Sequence, residues 1–186
     1  MPQTKKRSIR SRFKSSCPEK KKSIKKEIKI AKKTKTGITV CQVNCYLTNS
    51  PNFIGCYAQD ELKTLSIRSL PVYLVVNFDH SHSSGTHWIA VHITHNTLEI
   101  FDPLGFNTSR WPNIPHFLLD FLHKYSTKRR IKISNEIQSR SSALCGFYCI
   151  YFILRRTYTT FTVCNKFFSA SLYKNDDILI SFFNKF

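Results

Sequence analysis

From Phe147 to Leu154 the chain reads Phe-Tyr-Cys-Ile-Tyr-Phe-Ile-Leu, apolar on every side of any helix it forms. Such a helix has no face to give to water, so it must be buried, with other elements laid around it. The run before it is polar and turn-prone, Gln138-Ser-Arg-Ser-Ser142, and leads through Ala143-Leu144 into Cys145-Gly146. A cysteine in the first turn of a buried helix faces unpaired N–H groups and the positive end of the helix dipole. Both favour thiolate, the nucleophilic form of the residue. Gln138, seven residues upstream of Cys145, can place an amide beside the sulfur and donate to a developing oxyanion. On this stretch alone, a core cysteine in an ordinary buried helix accounts for the pattern slightly better than a nucleophile does.

Upstream lies a set of short strands. Pro71–Phe78 is β-branched and aromatic and reads as a buried strand. After the loop Asp79–Thr86, His87–Ile93 reads as a second strand, Thr94–Thr97 as a turn, and Leu98–Asp102 as a third strand closed by Pro103. Apolar residues at 114, 117, 118, 121, 122 and 125 have helical spacing, and Arg130–Ile133 alternates as a short strand. Phe161–Tyr173 reads as a helix, and Asn175-Asp176-Asp177 as the cap of a last one. Ile38–Leu47 is a strand or an amphipathic turn, and Gln59–Leu65 a short helical segment. Strands followed by helices indicate an α+β domain.

The hairpin carries a second chemical signal. His87 opens one strand and Asp102 closes its partner, so an antiparallel pairing sets imidazole and carboxylate side by side at one end of the sheet. A carboxylate can then orient the ring through one nitrogen while the other faces a nucleophile. Glu99 is a competing carboxylate, but its odd separation from Asp102 points it to the opposite face. Taken singly, each of the seven histidines is more simply a surface or packing residue, and Trp88 a core aromatic. Metal sites at His80, His82 and His87 or at Cys41, Cys45 and Cys56 lack a rigid, correctly spaced ligand set, so no metal is expected.

Charge divides the chain. Of its net +18, residues 1–36 hold +13 and the rest +5. The arm contains the basic clusters Lys5-Lys6-Arg7, Lys20-Lys21-Lys22 with Lys25-Lys26, and Lys32-Lys33. It reads as a disordered basic arm, with a transient helix around Ile24, Ile28 and Ile30, joined to a folded domain over residues 37–186. Its composition suits nuclear import or attraction to DNA or another polyanion. A charged beginning without an apolar signal segment, an odd number of cysteines, and no apolar run long enough to span a bilayer imply an intracellular chain with reduced thiols and no membrane role.

Gly85-Thr-His87-Trp88, Phe101-Asp102-Pro103-Leu104-Gly105-Phe106 and Gln138-x6-Cys145-Gly146, preceded by Ser142-Ala143-Leu144, occur in that order. Phe53-Ile-Gly-Cys-Tyr-Ala-Gln-Asp60 adds a fourth block. Together they resemble the adenovirus-type processing proteases, adenain-like cysteine endopeptidases, within a clan shared with the Ulp, or SUMO-specific, proteases. The resemblance covers about Phe53 to Leu154. It implies a mixed sheet flanked by helices, with the nucleophile at the N-terminus of a buried central helix. It implies His87 as general base, Asp102 as its orienting acid, Cys145 as nucleophile and Gln138 as oxyanion donor, with Trp88 and Gly146 against the substrate. It further implies viral precursor proteins as substrates, cleavage near Gly, a place in the host nucleus or virion, and stimulation by DNA or a peptide, with no cofactor needed for the chemistry.

Two features depart from that pattern. The adenoviral enzymes carry Glu where this chain has Asp102, the residue of the Ulp branch, whereas the Gln-to-Cys spacing and Ser-Ala-x-Cys-Gly fit the adenoviral branch. The cysteine that joins the activating peptide in those enzymes has no counterpart, since none lies between Asp102 and Leu144. Two other functions stand beside endopeptidase: a Ulp-like isopeptidase acting on SUMO or ubiquitin-like modifiers, and, on the strength of the +13 arm, a non-enzymatic basic DNA-binding protein.

Overall fold

A computed structural model describes residues 24–83, 85–106 and 114–184. Its centre is a mixed five-stranded sheet in the order β1-β2-β3-β4-β5. The strands are β1 Phe53–Ala58, β2 Val72–Asn77, β3 Trp88–Ile93, β4 Thr97–Phe101 and β5 Arg130–Ile133. β2, β3 and β4 pair antiparallel, and the two edges, β1 on β2 and β5 on β4, are parallel. Consecutive side chains go to opposite faces, and each face has its own core. On one side Tyr73, Val75, Trp88, Ala90 and Phe101 pack on α4, Cys145–Arg156. On the other, Leu74, Val76, Ile89, Val91 and Ile100 pack beneath α3, His116–Ser126, and the 3-10 turn Gln59–Thr64.

The all-round apolar segment is α4, and every residue from Cys145 to Ile153 is buried. It is ringed by α1 (Ile24–Thr34), α2 (Val40–Leu47), α5 (Phe161–Lys166), α6 (Leu172–Phe183) and the sheet. The expected α+β class, with a mixed sheet flanked by helices and Cys145 opening a buried helix, is the architecture found.

Four local expectations change. Ile24–Thr34, expected as part of a disordered arm, is a packed helix: Ile28 and Ala31 join the core of Leu179, Phe182 and Phe183. Lys32 Nζ bonds Asp177 Oδ1 at 2.6 Å and Lys25 Nζ the Asn184 carbonyl at 3.0 Å, fixing α1 to α6. The clusters Lys5-Lys6-Arg7 and Lys20-Lys21-Lys22 lie outside the described residues. Val40–Leu47 is helical because Thr39 and Gln42 form a capping box, each side chain taking the other's backbone N–H. Phe161–Tyr173 is not one helix. It breaks after Lys166, and α6 already begins at Leu172, so Asn175 and Asp176 sit inside it, with Ser171 at the N-cap.

Candidate active site

β3 and β4 bring the first pair together. Ala90 faces Phe101 in the register, which leaves His87, just before β3, beside Asp102, just after β4. Nε2 of His87 lies 2.8 Å from Asp102 Oδ1, and both residues are buried. Asp102 is itself held. Its N–H donates to Ser134 Oγ at 2.8 Å, that hydroxyl donates back to the Asp102 carbonyl at 2.8 Å, and Oδ1 accepts the Leu104 N–H at 2.9 Å. The ring of Phe78 meets the His87 ring edge-on, centroids 4.9 Å apart. Gly85 has φ +85°, where a side chain is disfavoured, and a Cβ there would land on the Asn77 amide. The loop before His87 is thereby pressed onto the end of β2.

The second nitrogen of His87 meets Cys145. Nε2 is taken by Asp102, so Nδ1 is the one available to the hydrogen bond that joins the ring to Cys145. Burial alone would push the imidazole down. The hydrogen bonds to Asp102 and Cys145, with the charge of Asp102, outweigh it and bring His87 up to about 9. That direction favours the protonated ring, and a cation beside a sulfur is a setting in which cysteine serves as nucleophile. Cys145 is the first residue of α4, and no side chain caps that helix, so no side-chain oxygen competes for its first N–H groups. Burial raises the thiols of Cys56, Cys149 and Cys164.

Gln138 lies in the loop that leads from β5 to Cys145. The Ile137 and Gln138 N–H groups both donate to the Pro103 carbonyl, at 2.8 and 2.9 Å, so the turn that places Asp102 also anchors the loop. Nε2 of Gln138 donates to the Ser142 carbonyl at 2.7 Å. A carbonyl can only accept, so this contact fixes which end of the amide is the NH2, and leaves its second N–H to point elsewhere.

Trp88 and Gly146 are placed differently from an open substrate wall. Both are buried, and a Cβ on Gly146 would strike Ile38 and lie 3.4 Å from Trp88 Cδ1. Gly146 lets Ile38 and Trp88 close on the first turn of α4; Ile38 gave no signal in the sequence beyond being apolar. Glu99, the competing carboxylate, is turned to the α4 face as strand alternation requires. There it accepts from His92 Nδ1 at 2.8 Å, Arg156 Nε at 2.8 Å and Lys132 Nζ at 3.1 Å. Among the described residues no group of three or more His, Cys, Asp or Glu is arranged to hold a metal, and no helix is long and apolar enough to cross a membrane.

Residues 53–173 match the family described as adenovirus endoprotease. The chain belongs to that family. A protease of human adenovirus B serotype 3 is 33% identical over 88 residues, 42% of this chain and 42% of that one. A protease of bovine adenovirus 4 is 26% identical over 137 residues, 59% of this chain and 66% of that one. A third, from bovine adenovirus B serotype 3, is 32% identical over 89 residues, covering 42% and 44%. The chain thus spans less than two thirds of each of these relatives. The matched stretch contains His87, Asp102, Gln138 and Cys145 and excludes α1 and α2. Membership of this family sets the chain on the adenoviral side of the two branches its motifs resemble.

Proposed function

We propose that this adenovirus endoprotease family member is a cysteine endopeptidase that processes viral precursor proteins. The observation that carries the reading is His87, hydrogen-bonded on one side to Asp102 and on the other to Cys145. The Cys145 thiolate attacks the peptide carbonyl, forming the C–S bond and moving charge to oxygen. The second N–H of Gln138 Nε2 and the Cys145 N–H hold that oxyanion. His87 gives its proton to the departing amine, then takes one from the water that hydrolyses the thioester. Asp102 keeps the ring oriented and its cation stabilised. Replacing Cys145 with Ala should abolish cleavage of a glycine-containing peptide while the fold persists, and retained cleavage by that variant would sink the reading. Labelling of Cys145 by a vinyl-sulfone probe built on a SUMO or ubiquitin-like C-terminus would instead favour an isopeptidase.

The reading includes action in the infected nucleus or the virion, on substrates reached along DNA. Lys26 and Lys33 stay exposed on α1 together with Lys29, while Lys25 and Lys32 are engaged with α6. A duplex bound through several lysines releases counterions, so its affinity falls steeply with salt. Replacing Lys26, Lys29 and Lys33 with Gln should flatten that dependence, and an unchanged slope would remove the α1 face from the DNA contact. A disulfide-linked activating peptide is not part of this reading, since no cysteine lies between Asp102 and Leu144.

A further inference from the structure

The loop that carries Gln138 is held at both ends by two consecutive buried residues of α6. Asn175 donates from Nδ2 to the Ile137 carbonyl at 2.7 Å and to the Ser169 carbonyl at 2.9 Å, and its Oδ1 accepts the Ser169 N–H at 2.8 Å. Ile137 immediately precedes Gln138. At the other end, Oδ1 of Asp176 accepts the Ser142 hydroxyl at 3.1 Å. Ser142 is also the residue whose carbonyl receives the Gln138 amide, and its hydroxyl accepts the Leu144 N–H at 3.3 Å.

The same Asp176 oxygen accepts the hydroxyl of Tyr148 at 2.9 Å. Tyr148 lies on α4, about one turn after Cys145. One carboxylate oxygen therefore touches both the loop with the amide donor and the helix with the nucleophile. α6 is a firm base for this contact, with Leu179 and Phe183 fully buried in the main core. Asn and Asp are poor helix-interior residues and costly to bury without partners. Packing alone would be served as well by Leu. What the polar pair adds is direction, and the bonds it makes run to the two ends of one loop.

We propose that Asp176 and Asn175 are positioning residues for the reaction: they lock the Gln138 loop to the Cys145 helix and so set where the amide donor stands relative to the sulfur. This rests on Gln138 being the oxyanion donor. An oxyanion hole helps attack on a carbonyl, whereas alkylation of the same sulfur by iodoacetamide forms no oxyanion. The two reactions separate a positioning role from a merely structural one.

The test uses the full chain with p-nitrophenyl acetate as acylating probe and iodoacetamide as alkylating probe, each read as the part that Cys145→Ala removes. Gln138→Ala should lower acylation about 100-fold and leave alkylation unchanged. Asp176→Ala and Asn175→Ala should lower acylation about tenfold or more, also with alkylation unchanged, and add nothing further in the Gln138→Ala background. Asp176→Asn should restore acylation, because both donors converge on a single oxygen that an amide also has. If Asp176→Ala does not fold, Ser142→Ala carries the test, since it removes the loop's bond to the carboxylate, along with the acceptor of the Leu144 N–H, and leaves the Tyr148–Asp176 bond in place. Acylation lost in Gln138→Ala but kept in the α6 and Ser142 variants overturns the positioning role alone. Acylation kept in Gln138→Ala overturns the donor assignment beneath it. Alkylation falling in step with acylation makes the α6 pair purely structural and overturns the proposal.

Discussion

His87 and Asp102 meet through Nε2 and Oδ1 at 2.8 Å, buried, at one end of the β3–β4 hairpin. This contact and the one to Cys145 lift the imidazole from 6.5 to about 9. Two consequences follow from that direction. The stability it confers is fully present below about pH 6.5 and is lost as pH rises through about 9. In the proposed mechanism the departing amine takes this same proton, so kcat/KM should fall on an alkaline limb near 9. Asp102→Asn should move that limb to lower pH and cut the rate by about 10²- to 10⁴-fold. A pH profile with the limb in the same place in both proteins would count against the pairing.

The second histidine–carboxylate pair of the hairpin makes a separate prediction. Glu99 is fully buried and receives His92, Lys132 and both Nε and Nη2 of Arg156. Burial opposes its charge, but these donors win and hold it down at about 2 instead of 4.5. The stabilisation is present above about pH 4.5 and lost as pH falls towards about 2. Glu99→Ala strands three basic groups around an emptied site and should cost about 3–5 kcal/mol in urea denaturation. Arg156 closes the far end of α4 from Cys145, so the loss belongs to stability rather than to the thiol chemistry. A change below about 1 kcal/mol, the scale of an exposed ion pair, would show that the network is not buried in solution.

The hairpin was the most legible part of this molecule, because period-two alternation and a tight turn fix which residues share an end. His87 and Asp102 could be paired from spacing alone. So could the isolation of Glu99, although its partners on α4 and β5 could not. The helix at Val40–Leu47 is also written locally, as Thr39-x-x-Gln42, although the apolar spacing of Ile38–Leu47 suits a strand as well as an amphipathic turn. The packing of α1 was beyond local reading. Its lysines dominate the composition, and the surface that buries Ile28 and Ala31 arrives about 150 residues later. Asn175 and Asp176 misled for the opposite reason. Their types suit a cap, and only the three-dimensional placement of the Gln138 loop reveals what they bond.

Gly146 tests the close approach at the first turn of α4. A methyl group there meets Ile38 before anything else, with Trp88 next. Gly146→Ala should therefore destabilise by about 1–3 kcal/mol through overpacking, despite Ala being the better helix former. Ile38→Ala in the same chain makes room and should recover much of the loss. Chemical denaturation of the two single variants and the double variant measures the coupling. Simple additivity would show that Ile38 is not the residue that fills this space.

The helix α1 separates a packed element from a charged tail. Ile28 is fully buried, and it sits with Leu179, Phe182 and Phe183 of α6. Truncating a buried isoleucine to alanine costs about 2–5 kcal/mol, depending on how far the surroundings collapse. A residue in a solvated arm costs nothing comparable. Ile28→Ala should thus lower the denaturation midpoint of the whole protein as a single cooperative transition. Ile30→Ala, two positions on and about half exposed at 49%, should leave it nearly unchanged. Equal effects from the two substitutions would place α1 outside the folded unit. The contrast between them also isolates packing from charge, because neither change touches a lysine.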